Sequence, residues 1–460
     1  MKPSVSVIVL AWNGQAYLEN CLTALLAQDY APLQIIVVDN GSDDGSVQIA
    51  QRFAPRLEVL QNGYNFGFAG GMNIGIRRAS GEIVALLNQD TEVQTGWLQA
   101  LVDAFAEDES VGIVGSKAIY PGSGRLQHAG GVIHTGDAFA YHIGRDEEDH
   151  GQYDALMEMD YVSGTAFAIH RRVLETIGEL DEGFHPAFYE ETDYCYRARR
   201  AGFRIVYQPK ATLLHHETTS LPQESYAFVS AFHRNRVRFV LRHWTLEELA
   251  AFVAAEQEAI AATLSLDDAV ARGRAFWRNL VQFSLLMQER RDQPYLGPAL
   301  DEGEARRLAD QLAALEEQAY RRTQILLQNG DAPTPQTGEV APPDAAQAEP
   351  GTPEAVSASE PVQAILQQMA ADGRLREYEF VSHAPLIGPL IARFRRMWLS
   401  VAARWYVLPV LRQQSRFNAQ VVDILQRLAA GEDHERRILR AEAHLRHLDK
   451  SVRSQVILTD

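Results

Sequence analysis

The sequence predicts an α/β fold with a mostly parallel sheet, followed by a helical C-terminal extension. Three observations predict it. From Val5 to Leu101, β-branched apolar runs alternate with helical patterns, the signature of parallel strands joined by crossover helices. Ile83–Leu87 has no internal polar residue, as expected of a strand buried on both faces. The runs ending at Leu10, Val38 and Leu87 pass at once into Asn, Asp, Gly and Ser, where open α/β sheets hold their ligands.

In order, Val5–Leu10 reads as the first strand and stops at Ala11-Trp12-Asn13-Gly14. Tyr17, Leu18, Cys21, Leu22, Leu25 and Leu26 recur at helical spacing. Leu33–Val38 is the second strand, closed by Asp39-Asn40-Gly41-Ser42, and Leu57–Leu60 is a weaker third. Asn62–Asn73, with its glycines, Phe66 and Phe68, reads as a loop that a ligand can approach closely. Glu82–Leu87 is the fourth strand. If its geometry persists one more step, Asn88 and Asp90 project to the same side. Oxygen ligands at that spacing suit Mg²⁺ or Mn²⁺ held against a diphosphate. A capped strand end leading to the helix of Trp97, Leu98 and Leu101 explains the same residues without a ligand. Asn40-Gly41 and Asp44-Gly45 are equally explained as turns.

Composition narrows the function classes. A net charge of −17 argues against a general nucleic-acid binder, which needs clustered Lys and Arg. The two cysteines, Cys21 and Cys195, make neither a disulfide framework nor a zinc site and suit the cytosol. No apolar run is long enough for a transmembrane helix, and Val5–Leu10 is too short and too β-branched for a signal peptide.

Val5–Gly14, Val37–Ser42, Asn65–Asn73 and Leu87–Thr91 together resemble, in order, the successive motifs of family 2 glycosyltransferases. The likeness is closest to the bacterial rhamnosyltransferase-like branch. It implies a GT-A fold, a nucleoside-diphosphate-sugar donor, a divalent metal and inversion at the anomeric carbon. Carried over, Asn13 and Asp39 hold the nucleoside. Asn40, Asn65, Gly67, Phe68, Asn73 and Asn88 shape the diphosphate and sugar pocket, and Asp90 takes the metal.

Val111–Tyr120 is a further strand, and Pro121–His150 is irregular, rich in Gly and His, and suited to a loop over an acceptor site. Its four histidines fit no zinc spacing. Tyr161–Ile169 reads as a strand interrupted by Gly164, a place for close approach, with Gly164 and Thr165 on the acceptor side. After Pro186, a helix starting around Phe188 carries Glu190, Glu191 and Asp193 in its first turn, where free backbone N–H groups favour carboxylates. Asp193 with Arg197 is an ordinary helix ion pair. The family's motif here is Glu-Asp-x-Asp with its second acid as base; this chain has Glu191 at that place and Glu190 beside the acceptor. Gly178–Glu182 also departs, lacking the family's aromatic before Asp-Glu. Phe203–Tyr207 is a strand leading to His215-His216. His215 resembles the family's third metal ligand, with His216 as the alternative. Arg234-Asn235-Arg236 resembles the family's ending and closes the recognised part near residue 244.

The expected division is therefore a transferase domain over 1–244, a helical extension over 245–328, a Pro/Ala/Glu-rich linker over 329–361 and a helical region over 362–460. Leu390, Phe394, Trp398, Val401, Trp405 and Leu408 make an apolar stripe with interleaved arginines. It fits a core-facing helix, with peripheral membrane contact through 380–415 as the competing reading. Later heptad-like positions suggest oligomerisation through C-terminal helices. The expected activity is metal-dependent, inverting transfer from the donor, dTDP-rhamnose being favoured by the branch, to a glycan or lipid-linked acceptor at the cytoplasmic face. The rivals are a non-catalytic scaffold and a sugar-nucleotide nucleotidyltransferase. The latter should carry a Gly-rich basic loop where this chain has Ala11-Trp12-Asn13-Gly14.

Overall fold

The computed structural model describes residues 2–217 and 225–329, all of which fall within one compact unit. The expectations for the linker beyond 329, for the stripe within 380–415 and for C-terminal oligomerisation lie outside the described residues.

The chain runs β1 (Val5–Ala11), α1 (Leu18–Leu26), β2 (Leu33–Asp39), α2 (Ser46–Arg52), β3 (Glu58–Gln61), α3 (Gly67–Arg78) and β4 (Ile83–Asn88). Then come β5 (Thr91–Val93), α4 (Trp97–Glu107), β6 (Val111–Ile119), β7 (Leu126–His128), β8 (Gly131–Ile133), β9 (Ala140–His142) and β10 (Met157–Glu158). After these follow β11 (Ala166–His170), α5 (Arg171–Ile177), a 3-10 turn (Glu182–Phe184), α6 (Glu190–Arg200) and β12 (Arg204–His215). The last elements are α7 (Tyr226–His243), α8 (Leu246–Ala262), α9 (Leu266–Val281), α10 (Phe283–Asp292) and α11 (Glu302–Asn329).

The main sheet has the order β10-β12-β6-β11-β4-β1-β2-β3. Strands β3, β2, β1 and β4 pair in parallel, as the strand–helix alternation requires. β11 enters antiparallel between β4 and β6, which the sequence did not announce. Its first residue, Ala166, pairs with Leu87, so the segment before β11 lies at the edge where β1, β2 and β4 end. Apolar layers cover both faces of the sheet, one including Val7, Leu22 and Trp97, the other Ile8, Met72, Phe184 and Phe239. Phe252, Phe276 and Leu312 of α8, α9 and α11 belong to this second layer, so these helices share the core of the α/β domain.

Three local expectations need correction. Asn62–Asn73 is not a loop throughout: α3 begins at Gly67. Its glycines serve close helix–sheet packing, because a Cβ on Gly71 would meet Leu10 Cδ1 at 2.4 Å and one on Gly75 would meet Ile8 Cγ2 at 2.4 Å. The expected strand at Tyr161 starts only at Ala166. Helix α6 starts at Glu190 rather than near Phe188, since Phe188 and Tyr189 hold φ of +83° and +70°.

Candidate active site

Strand register assembles the site. Ala11 pairs with Asp39, Leu10 with Asn88, and His215 with Thr91. The Asn88 N–H donates to the Thr165 carbonyl at 2.9 Å. At this edge opens a cavity of about 270 Å³. The ends of β1 and β4 contribute Leu10, Trp12, Asn88, Gln89 and Asp90. The segment around the start of α3 adds Asn40, Asn65, Gly67 and Phe68, and Pro186–Phe188, His215 and Glu217 complete the wall.

Asp90 and His215 are 5% and 7% exposed, and His215 Nε2 stands 3.3 Å from Asp90 Oδ1. His215 Nδ1 lies 2.6 Å from Gln127 Oε1. That oxygen only accepts, so Nδ1 carries a proton and donates. In a neutral ring Nε2 would then present a lone pair to a carboxylate oxygen, two acceptors that a cation between them would reconcile. A second partner fixing the ring of a ligating histidine is the usual support for such a role. Among the described residues no group of three or more His, Cys, Asp or Glu side chains could hold a metal. The donor set therefore fits a cation only when ligand oxygens complete it, as diphosphates do for Mg²⁺ and Mn²⁺. His216 turns elsewhere, with Nε2 2.9 Å from Glu92 Oε1 and its ring against Tyr17.

The other positions chosen from the sequence divide. Asp39 is 3% exposed; Oδ2 accepts from the Ser42 N–H at 3.3 Å, while Oδ1 has no partner among the described residues. A buried acceptor left open in this way matches a ligand N–H or hydroxyl. Asn40 is saturated: its amide donates to Asn65 Oδ1 and the Gly67 carbonyl, and its oxygen accepts from Asn62 Nδ2 and the Phe66 N–H. Asn13 is exposed outside the wall, its side chain accepting from the Asp43 N–H. Asn73 is not brought to the cavity wall. Its amide donates to the Leu180 carbonyl and Glu182, and its oxygen accepts from the Leu180 N–H.

Sequence reasoning missed Gln89, which lies between the two positions it chose. Its amide exchanges two 2.9 Å hydrogen bonds with the backbone of Trp12 and locks β4 to the end of β1. A Cβ on Gly14 would come within 1.9 Å of Gln89 Oε1, so the glycine makes room for this clamp. Gly14 lies within the first strand-end motif, but nothing local to it signals this packing.

The second centre is the start of α6. The Asn235 amide donates to the carbonyls of Phe184, Ala187 and Phe188 at 2.6, 2.8 and 3.0 Å. It thereby holds the left-handed Phe188-Tyr189 step that aims the acids. Glu190 is 4% exposed and its Oε2 has no partner among the described residues. Burial, then the neighbouring Glu191 carboxylate, holds its carboxyl well above the usual range. Burial likewise pushes Glu191 up to about 7, against hydrogen bonds from its own backbone and Thr192. Gly164 links Glu191 to the cavity wall: a Cβ there would sit 3.5 Å from Phe68 Cζ and 3.7 Å from Glu191 Cγ. Thr165, 8% exposed, receives Ser163 Oγ at 3.0 Å.

Asp193 behaves differently. Burial pushes its carboxyl up, but Arg242, Arg197 and His243 outweigh it and hold it well below the usual range. Its oxygens accept from Arg197 at 2.8 Å, Arg242 at 2.9 Å and His243 at 2.8 Å. It ties α6 to α7. Arg236 of the Arg-Asn-Arg motif ties α7 to α8 and to the β8–β9 hairpin, donating to Glu256 at 2.6 Å and the Asp137 carbonyl at 2.7 Å. Of the four histidines in 121–150, His128 and His142 pair at 2.9 Å through their Nδ1 atoms, while His134 and His150 stand in the exposed region.

Comparison with known proteins agrees with this architecture. The model of glycosyl transferase family 2 matches residues 6–178. An uncharacterized protein of Sinorhizobium fredii is 32% identical over 54% of this chain, which spans 28% of that protein. The O-antigen biosynthesis protein RfbC of Myxococcus xanthus is 30% identical over 50% of this chain, which spans 19% of it. The N-acetylglucosaminyl-diphospho-decaprenol L-rhamnosyltransferase of Mycobacterium tuberculosis is 24% identical over 52% of this chain and 85% of its own length. Among solved structures, GalNAc-T7 with UDP, GalNAc and Mn²⁺ aligns at a TM-score of 0.47 and 18% identity over 57% of this chain and 52% of that one. The mannosyltransferase PcManGT from Pyrobaculum calidifontis, with GDP-Man and Mn²⁺, aligns at 0.40 and 18% over 72% and 88%. No helix among the described residues is long and apolar enough to cross a membrane. The chain is thus similar to glycosyl transferase family 2 over residues 6–178, from β1 to α5 of its N-terminal α/β domain.

Proposed function

We propose that the protein is an inverting glycosyltransferase that moves a sugar from a nucleoside diphosphate to a hydroxyl of a glycan or lipid-linked acceptor in cell-surface polysaccharide synthesis. One observation carries the reading. Asp90, in the turn between β4 and β5, and His215, at the end of β12, meet on the wall of a cavity that Phe68 also lines, and Gly164 lies between Phe68 and the half-buried Glu191. In this scheme Asp39 accepts from the nucleoside through its open oxygen. Asn40 and Asn65 shape the pocket by holding the segment that carries Gly67 and Phe68. Asn88 belongs to the same wall.

Glu191 accepts the proton of the acceptor hydroxyl, whose oxygen then attacks the anomeric carbon as the diphosphate departs on the opposite face. A carboxylate pushed up to about 7 suits this role, because proton transfer is most effective when the base titrates near working pH. Glu190, whose carboxyl burial and Glu191 hold well above the usual range, is a poorer candidate to stay ionised and stands beside the acceptor as a hydrogen-bonding partner. Asp90 and His215 are the residues that would hold Mn²⁺ or Mg²⁺. Such an ion, when bound, would offset the charge of the departing diphosphate. The relatives in O-antigen synthesis and rhamnosyl transfer support a surface-glycan acceptor and keep dTDP-rhamnose first among donors.

The test is thermal stabilisation of the purified full chain by dTDP-, UDP- and GDP-sugars with and without Mn²⁺, since a specific ligand raises apparent stability. One nucleotide sugar should stabilise it, with Mn²⁺ enhancing the effect. Asp90→Asn should abolish both enhancement and transfer, and His215→Ala should weaken them. Unchanged metal dependence in Asp90→Asn, or an effect confined to His216→Ala, would overturn the metal assignment.

A further inference from the structure

A second cavity of about 270 Å³ opens on the helical side of the domain, apart from the wall described above. Arg234 and Arg238 of α7 and Arg278 of α9 line it, with Gly183, Trp277 and Val281. Among the described residues Arg234 has no carboxylate partner; its guanidinium donates only to Asn235 Oδ1, at 2.9 and 2.7 Å. Arg278 is exposed and has no ion pair among the described residues. Arg238 is 6% exposed and paired behind the cavity with Asp181 at 2.7 Å and, more distantly, Glu289 at 3.7 Å. Burial, then the charges of Arg278 and Arg238, pulls Arg234 down to about 10. Two uncompensated guanidiniums thus share one concavity in a chain whose net charge is −17.

Two exposed apolar side chains of α9, Trp277 at 37% and Val281 at 60%, stand on the cavity wall, and Leu285 of α10, 54% exposed, follows four residues further on outside that wall. Guanidinium groups set in a concavity recognise phosphate oxygens through paired charge-assisted hydrogen bonds. Exposed Trp277 and Val281 beside them call for a hydrocarbon attached to that phosphate. Gly183 places the cavity in the fold. A Cβ there would meet Arg238 Nη2 at 2.4 Å, so the glycine lets the guanidinium lie against the 3-10 turn. Three residues further on, Pro186 enters the wall of the first cavity, and Asn235, beside Arg234, holds the turn's Phe184 carbonyl and that loop.

We propose that the Arg234–Arg238–Arg278 cavity, with Trp277 and Val281 on its wall, binds the diphosphate and first hydrocarbon units of a lipid-diphosphate-linked acceptor. The inference rests on the glycosyl-transfer reading and narrows its acceptor class. The lipid diphosphate is anchored on the outer side of the 183–188 segment, and the sugar it carries reaches the inner side, where Glu191 acts.

The test measures binding to the full chain in metal-free buffer with farnesyl diphosphate, inorganic pyrophosphate and farnesol as probes. Farnesyl diphosphate should bind, pyrophosphate more weakly and farnesol not at all. Arg278→Gln, which breaks no hydrogen bond or ion pair among the described residues, should weaken farnesyl diphosphate about 10-fold or more, the scale of a hydrogen bond to a charged group. Arg234→Gln should do the same. Trp277→Ser should weaken farnesyl diphosphate but not pyrophosphate. Asp90→Asn should bind all three as the parent does. Wild-type binding by Arg278→Gln and Arg234→Gln would overturn the site. So would loss of binding in Asp90→Asn, which would place the probe in the donor cavity. Equal binding of pyrophosphate and farnesyl diphosphate would overturn the lipid assignment in favour of a free anion. Because nucleotide-sugar stabilisation is measured separately, failure here with that response intact removes only the acceptor class.

Discussion

Asn40, at the end of β2, and Glu190, at the start of α6, are 2% and 4% exposed, yet their surroundings differ. The Asn40 amide donates twice and its oxygen accepts twice, all within the protein. Glu190 keeps one oxygen without a partner among the described residues, and Glu191 beside it is pushed up to about 7 by burial. The strand-end side of the site is thus a self-satisfied frame, with Asp39 Oδ1 as its open acceptor. The acidic side keeps acceptors in reserve. A buried polar group left open is costly, of the order of 1–3 kcal/mol. Where a frame is otherwise so well satisfied, such a group points to a ligand.

Asp193 gives the strongest way to break this comparison, because it is an acid of the same turn that belongs to the frame. Asp193→Asn leaves Arg197, Arg242 and His243 short of one buried charge and should cost about 3–5 kcal/mol, the scale for breaking a buried ion pair. Denaturant unfolding measures it. The folded-state pKa is depressed, so this stability is present at neutral pH and is lost as pH falls below the usual carboxylate range. A variant as stable as the parent would show that the frame does not need the carboxylate.

Next comes Glu191→Gln, which should retain fold and donor binding and lose transfer by about 10²-fold or more. Glu190→Gln should lose far less. The pH profile sharpens the assignment: a base is active when ionised, so kcat/KM should fall as pH drops through about 7. A limb at the ordinary carboxylate position, or a dead Glu190→Gln with an active Glu191→Gln, would move the base off Glu191.

The smallest effect is expected at Asn73. Asn73→Ala removes the bonds to the Leu180 backbone and should destabilise by about 1–3 kcal/mol, with donor binding per folded molecule unchanged. Lost donor affinity at unchanged stability would return Asn73 to the donor pocket where the sequence placed it.

Much of the fold is legible because it is written in short-range pattern. Strands β1, β2, β4 and β6 follow from apolar runs buried on both faces, and their order and parallel pairing follow from the helices between them. The convergence of strand ends on one edge follows from that topology, which is why Asn40, Asn88 and Asp90 line one cavity there. Glycine was the main source of error. In Gly70-Gly71 the sequence shows freedom, whereas the fold uses the missing Cβ of Gly71 for contact with Leu10 and that of Gly70 for contact with Phe66.

Tertiary structure alone decided the rest, since each remaining feature depends on groups far apart in the chain. Nothing local to β11 says that it runs against its neighbours, or that the segment before it brings Gly164 to the site edge. His215 and His216 have the same chemistry and adjacent numbers; only the Gln127 and Glu92 side chains, 88 and 124 residues away, separate a ring facing Asp90 from one facing Tyr17. Likewise three acids in one helical turn look alike in sequence. Arg242 and His243, arriving from α7, make Asp193 a buried anion and leave the buried Glu190 and the half-buried Glu191 without such partners. The sequence by itself determined which residue types stand at the strand ends and the helix start. Burial and long-range partners, which set the free energy of each charge, determined which of them remain available for chemistry.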